Sequence, residues 1–192
     1  PPRVSGLILR GIFLCRPKEI KWLYQEGASY LYPDAYERYI SVIPEAEHQD
    51  LVTAFHRRLV GDNPEERLKA ALAWSAWEAS ISKLIPDPNL VDQFEEDEFA
   101  LAFARIEAHY FINKGFYDSD NWILENIGKI RHKPGVIIHG RYDVVCALEN
   151  AWELHQAWPE AEFKITPDAG HSSMEPGTLH ALIEATEQFK SR

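Results

Sequence analysis

Short apolar runs occur near both ends of the chain, and long stretches with helical spacing lie between them. Residues 4–9 predict a buried strand, and residues 135–139 and 161–166 predict two more. Between the first two strands, apolar positions recur every three or four residues, which is typical of helices. The pattern therefore predicts an α/β fold whose strand-containing layer is interrupted by a long helical segment.

Proline and asparagine mark several of the predicted helix starts, because proline suits the first turn and asparagine the N-cap. Helices are predicted to start near Pro17, Pro33, Glu47, Pro64, Asp97 and Asn121. Two prolines at residues 85–89 predict a break in the helical segment. Two further helices, at 148–157 and 178–190, alternate with the C-terminal strands.

An acidic residue and a histidine follow two of the predicted strands. Asp143 comes shortly after the strand at 135–139, and His171 follows the strand at 161–166. The C-terminal ends of parallel strands share one edge of the sheet, so these side chains are expected to meet there. This is the acid-then-histidine order of α/β-hydrolases. The alternative is that Asp143 caps a helix and His171 is an ordinary loop residue.

Two glutamates interrupt apolar helical faces. Glu78 shares a face with Trp74 and Ile81. Glu107 shares one with Phe103, Tyr110 and Phe111. A buried carboxylate is costly unless it meets a cation or gains hydrogen bonds. Arg105 is one candidate cation, and the ammonium group of a bound ligand is the other. The pattern alone leaves both interpretations open.

Composition limits the classes of partner. The net charge of −10 argues against nucleic acid, and no apolar run is long enough to span a membrane. The two cysteines, Cys15 and Cys146, fit a reducing cytoplasm. Cys146 lies three residues after Asp143, and we interpret it as a buried structural thiol rather than a nucleophile. The histidine spacings match no zinc motif, and we predict neither a metal nor a cofactor.

Five segments resemble the proline iminopeptidases, which are serine peptidases that release N-terminal proline from peptides. They are residues 9–13, 24–28, 74–78, 104–111 and 140–143. The resemblance covers essentially the whole chain in the right order. It implies the C-terminal part of an α/β-hydrolase sheet, with a helical cap inserted between the first and second of its three strands.

The resemblance also implies roles and boundaries. Asp143 and His171 would be the acid and base of the triad. Glu78 and Glu107 would bind the free amino group of the substrate, while Phe13 and the backbone around Cys146 would line the proline pocket. The core would comprise 1–14 and 132–192, and the cap 15–131.

One departure from the family concerns the nucleophile. The chain contains no Gly-x-Ser-x-Gly motif, so we expect a C-terminal fragment that is inactive alone. Its first strand would then lack a neighbour and favour self-association. Two other functions remain open, namely a non-catalytic module that binds peptide N-termini and an α/β-hydrolase of another specificity.

Overall fold

The computed structural model describes residues 3–190, and their contacts divide them into two compact units. The sheet unit comprises the described residues within Pro1–Leu14, Ser82–Leu84 and Asp118–Arg192. The helical unit comprises Cys15–Ile81 and Ile85–Tyr117. This division groups residues 82–84 and 118–131 with the sheet unit, whereas the resemblance implies a cap over 15–131.

Three parallel strands form the sheet of the sheet unit, in the order β1-β2-β3. The strands are β1 (Leu7–Arg10), β2 (Gly135–Gly140) and β3 (Glu162–Thr166). Parallel strands require crossover connections, and helical segments lie between them in the chain. The predicted α/β class is confirmed.

Helices cover both faces of the central strand, since neighbouring residues of a strand point to opposite faces. Ile137 packs with residues of α8 (Leu148–Ala157), while Val136 and Ile138 pack with α9 (Pro176–Lys190). All six residues of β2 are buried, as expected for a strand covered on both sides. A short helix, α7 (Trp122–Glu125), precedes β2.

The helical unit is built around a cluster of aromatic side chains. Its helices are α1 (Pro17–Tyr24), α2 (Pro33–Ile40), α3 (Leu51–Leu59), α4 (Pro64–Ile81), α5 (Pro88–Phe94) and α6 (Asp97–Ile112). The largest buried side chains there come from α1 to α4, and they are Tyr24, Tyr39, Phe55, Trp74 and Trp77. Their rings stack or meet edge to face, which contributes beyond the area that they bury.

Two elements differ from the sequence prediction. β1 begins at Leu7 rather than at residue 4, and the Leu7 N–H donates to the carbonyl of Pro134. Pro134 has no N–H with which to extend the ladder further. The predicted break at residues 85–89 is the start of α5, where Asp87 accepts the N–H of Asn89 and Pro88 occupies the first turn. Among the described residues, no helix is long and apolar enough to cross a membrane.

Candidate active site

Asp143 lies in a turn just beyond the C-terminal end of β2. The strand ends at Gly140, where a Cβ would come within 2.0 Å of the carbonyl oxygen of Gly170. The close approach therefore requires glycine and brings the end of β2 against the loop that follows β3. The Asp143 side chain is buried, and its Oδ1 accepts the N–H of Cys146 at 2.8 Å.

His171 meets Asp143, as the strand order predicted. Nδ1 of His171 lies 2.9 Å from Oδ2 of Asp143 and 3.2 Å from Oδ1. Because the carboxylate only accepts, the hydrogen is on Nδ1 and Nε2 is left as an acceptor. An Arg10 Nη1 donor 3.3 Å from Nε2 fits the same tautomer. The pair can thus take up a proton at Nε2 while the carboxylate stabilises the imidazolium.

His139 also contacts Asp143, although its position in the sequence indicated no such role. It is 1% exposed, its Nδ1 accepts the N–H of Ile12 at 3.3 Å, and its Nε2 donates to the Cys146 carbonyl at 2.8 Å. The same Nε2 lies 3.3 Å from Oδ2 of Asp143. Burial lowers the pKa of His139, which favours its neutral form despite the opposing effect of Asp143.

The two glutamates of the apolar faces come together in the helical unit. The hydroxyl of Tyr24 donates to Oε1 of Glu78 and lies 3.4 Å from Oε2 of Glu107. The indole N–H of Trp74 donates to the same Glu107 oxygen at 2.9 Å. The structure therefore forms one polar cluster from α1, α4 and α6, within a largely aromatic environment.

Burial and mutual repulsion govern the charge of this cluster. Burial, followed by the negative charge of Glu107, raises the pKa of Glu78 well above its usual range. Burial, followed by the charges of Glu107 and Glu78, raises the pKa of Tyr24, so its hydroxyl stays protonated and donates. A cation between the two carboxylates would favour their ionised forms and reduce the repulsion.

Three candidate residues remain, namely Arg105, Phe13 and Cys146. Arg105 is exposed and, within residues 3–190, forms no ion pair with either glutamate. Phe13 is half-buried in the segment after β1. Cys146 is buried and forms no disulfide among the described residues, and its backbone bonds to Asp143 and His139. In the described part of the chain, no group of three or more His, Cys, Asp or Glu residues is arranged to hold a metal.

Known proteins named proline iminopeptidase are similar to the chain over nearly its whole length. No protein-family model matches the chain. A "Probable proline iminopeptidase" of Leptolyngbya boryana is 56% identical over 189 residues, which cover 98% of this chain and 59% of that protein. A "Proline iminopeptidase" of Arabidopsis thaliana is 52% identical over 192 residues, 100% of this chain and 50% of that protein.

A third relative, a "Proline iminopeptidase" of Neisseria gonorrhoeae, is 43% identical over 194 residues, which cover 100% of this chain and 61% of that protein. The chain thus spans 50% to 61% of the length of these three relatives. The resemblance seen in the motifs is confirmed, because the chain is similar over nearly its whole length to proteins named proline iminopeptidase.

Proposed function

We propose that this chain contributes the acid, the base and the amine-binding residues of a serine aminopeptidase that releases proline from peptide N-termini. The observation that carries this proposal is the Asp143–His171 pair at the C-terminal edge of parallel strands. We further propose that the three strands are the last three of an α/β-hydrolase sheet. Helices α1 to α6, which lie between β1 and β2 in the chain, would then form its cap. We also propose that the enzyme works in the reducing environment of the cytoplasm.

In the proposed reaction, His171 accepts a proton at Nε2 from a serine hydroxyl as the oxygen attacks the prolyl carbonyl. The C–N bond then breaks, His171 returns the proton to the leaving peptide amine, and a prolyl ester remains. Water, activated by the same histidine, releases proline. Asp143 holds the proton on Nδ1 throughout. The serine would come from a segment outside these 192 residues, which contain no Gly-x-Ser-x-Gly motif.

Glu78 and Glu107 would bind the protonated secondary amine of the N-terminal proline. Two carboxylate groups can accept both N–H groups of that amine through charge-assisted hydrogen bonds. Because burial raises the pKa of Glu78, binding of the ammonium would also release a proton from the cluster to solvent. Phe13 and the backbone at Cys146 would form the wall of the proline pocket in the sheet unit.

The test compares free and N-acetylated proline amides in the complete enzyme, meaning this chain together with the segment that carries the nucleophile. We expect Glu78→Gln and Glu107→Gln each to lower kcat/KM for the free amide by about 30-fold or more, since losing one partner of such a pair costs ~2–5 kcal/mol. The acetylated amide should be poor in every variant. Glu65→Gln, an exposed change on α4, serves as the control.

Equal losses on both amides, in step with a lower melting temperature, would show that these glutamates are structural. Efficient turnover of the acetylated amide by the unmodified enzyme would favour a hydrolase of another specificity. The absence of a serine motif from the chain favours a second candidate, a module that binds peptide N-termini without cleaving them. Binding of free proline peptides with no turnover in the complete protein would support that module.

A further inference from the structure

Glu175 is a buried acid that the proposed mechanism does not use. It lies between the His171 loop and the first residue of α9, and it is 9% exposed. Its carboxylate accepts two backbone N–H groups, that of Gly170 at 2.8 Å and that of Leu84 at 2.9 Å. One side chain thus joins the residue before His171 to a segment far away in sequence.

The same two segments are joined a second time through their backbones. The N–H groups of His171 and Ser172 both donate to the carbonyl of Ser82 at 2.9 Å. A Cβ on Gly170 would come within 2.9 Å of the Leu84 nitrogen, so the two segments pack backbone against backbone. Residues 170–172 are therefore held against residues 82–84 by two direct hydrogen bonds and by two more through the Glu175 carboxylate.

The Glu175 side chain does not act as a helix cap or as an ion-pair partner. Its carbonyl accepts the N–H of Leu179, which places the residue at the start of α9, but its carboxylate bonds to none of that helix's N–H groups. Within residues 3–190 no cationic side chain contacts it. A buried carboxylate with only backbone donors is costly, and here its two charge-assisted bonds fix the position of a loop.

We propose that Glu175 is a positioning residue that holds the loop of the base His171 on residues 82–84. This inference rests on the proposed function, because it assigns Glu175 to the placement of the proposed base. Residues 82–84 directly follow α4, the helix that carries Glu78. Like the loop of the base, residues 82–84 belong to the sheet unit.

The test uses Glu175→Gln and Glu175→Ala in the complete enzyme. The glutamine keeps one acceptor oxygen but places its NH₂ against the other backbone N–H, and the alanine removes both acceptors. We expect kcat for a proline amide to fall by about 10- to 100-fold, the range for losing a hydrogen bond to a charged group. KM should stay within about twofold, because Glu175 touches no substrate-binding residue.

A second readout follows the loop itself by hydrogen exchange in peptides that cover residues 82–84 and 170–172. Exchange in both segments should become faster in either variant. The matched control is Ala185→Gly on α9, which loosens a fully buried position that packs with Val136 and Ile138. It should lower the melting temperature but leave kcat and the exchange of both segments unchanged.

The proposal would be overturned by any of three results. The first is a kcat of the Glu175 variants within about twofold of the unmodified enzyme, and the second is unchanged hydrogen exchange in both segments of these variants. The third is a loss of kcat in Ala185→Gly that equals the loss in the Glu175 variants at the same melting temperature. If the unmodified complete enzyme releases no proline, the proposed function fails. Hydrogen exchange then decides by itself whether Glu175 holds the loop.

Discussion

Replacing Asp143 by asparagine should trap His171 in the wrong tautomer. The Cys146 N–H donates to Oδ1 of Asp143 and can only donate, so it will orient the amide carbonyl of the asparagine towards itself. The amide NH₂ then takes the place of Oδ2, 2.9 Å from Nδ1 of His171. To accept this donor, His171 must move its hydrogen to Nε2, where it can no longer receive a proton from a nucleophile.

The alternative orientation of the amide is no better. It would place the NH₂ against the Cys146 N–H, which is a contact between two donors. The Nε2–H of His139 already donates to the Cys146 carbonyl at 2.8 Å, so it does not decide which amide atom takes the Oδ2 position, 3.3 Å away. We therefore expect kcat to fall by ~10⁴, which corresponds to about 5 kcal/mol of lost transition-state stabilisation.

The assay measures initial rates with a chromogenic proline amide and the melting temperature of each variant of the complete enzyme. The ¹⁵N shifts of His171 give the tautomer independently of activity, and in the variant the hydrogen should be on Nε2. Asp168→Asn is the control, since it makes the same change at an exposed position of the loop that carries His171. A folded Asp143→Asn variant with kcat within about tenfold of the unmodified enzyme would refute this reasoning.

Three further predictions concern stability and association. Burial lowers the folded-state pKa of His139, so its contribution to stability is complete above the unfolded value of 6.5 and is lost as the pH falls through the folded value. The melting temperature of the chain should therefore fall more steeply on acidification than that of His139→Gln. Parallel curves of melting temperature against pH would contradict this. The folded-state pKa of Glu78 is raised, so stability is complete below the unfolded value of 4.5 and is lost as the pH rises through the folded value. Glu78→Gln mimics the protonated acid and should melt, at neutral pH and without ligand, no lower than the unmodified chain, whereas a clearly lower melting temperature would indicate a structural carboxylate. The 192-residue chain should self-associate through the edge of β1, which pairs only with β2 among the described residues, and light scattering from a stable dilute monomer would argue against this.

The Asp143–His171 contact was predictable because it depends on local pattern and on a general rule of topology. A strand, a helix and a second strand can be recognised from periodicity, and parallel strands place their C-terminal ends at one edge. The positions of Glu78 and Glu107 on apolar faces were visible for the same reason. Their meeting through Tyr24 was not, because helical periodicity does not tell which faces of different helices pack together.

The roles of His139 and Glu175 were hidden for a different reason. Their partners are mostly backbone groups of residues far away in sequence, such as Ile12 and Leu84, and a backbone N–H leaves no mark in the amino-acid pattern. The same holds for residues 118–131, whose spacing predicts part of the helix correctly. It does not reveal that Ile127 belongs to the same core cluster as Ile137 of the sheet. Pairing across long separations is decided by packing rather than by local preference.

The release of proline from a peptide with a free N-terminus is the measurement that tests the central claim most directly. The complete enzyme, its His171→Ala variant and the 192-residue chain alone should be compared on one peptide at equal concentration. If the proposal is right, the complete enzyme releases proline, His171→Ala loses up to ~10⁶ in turnover, and the chain alone releases none. Near-normal turnover by His171→Ala, or release by the chain alone at the rate of the complete enzyme, would contradict it.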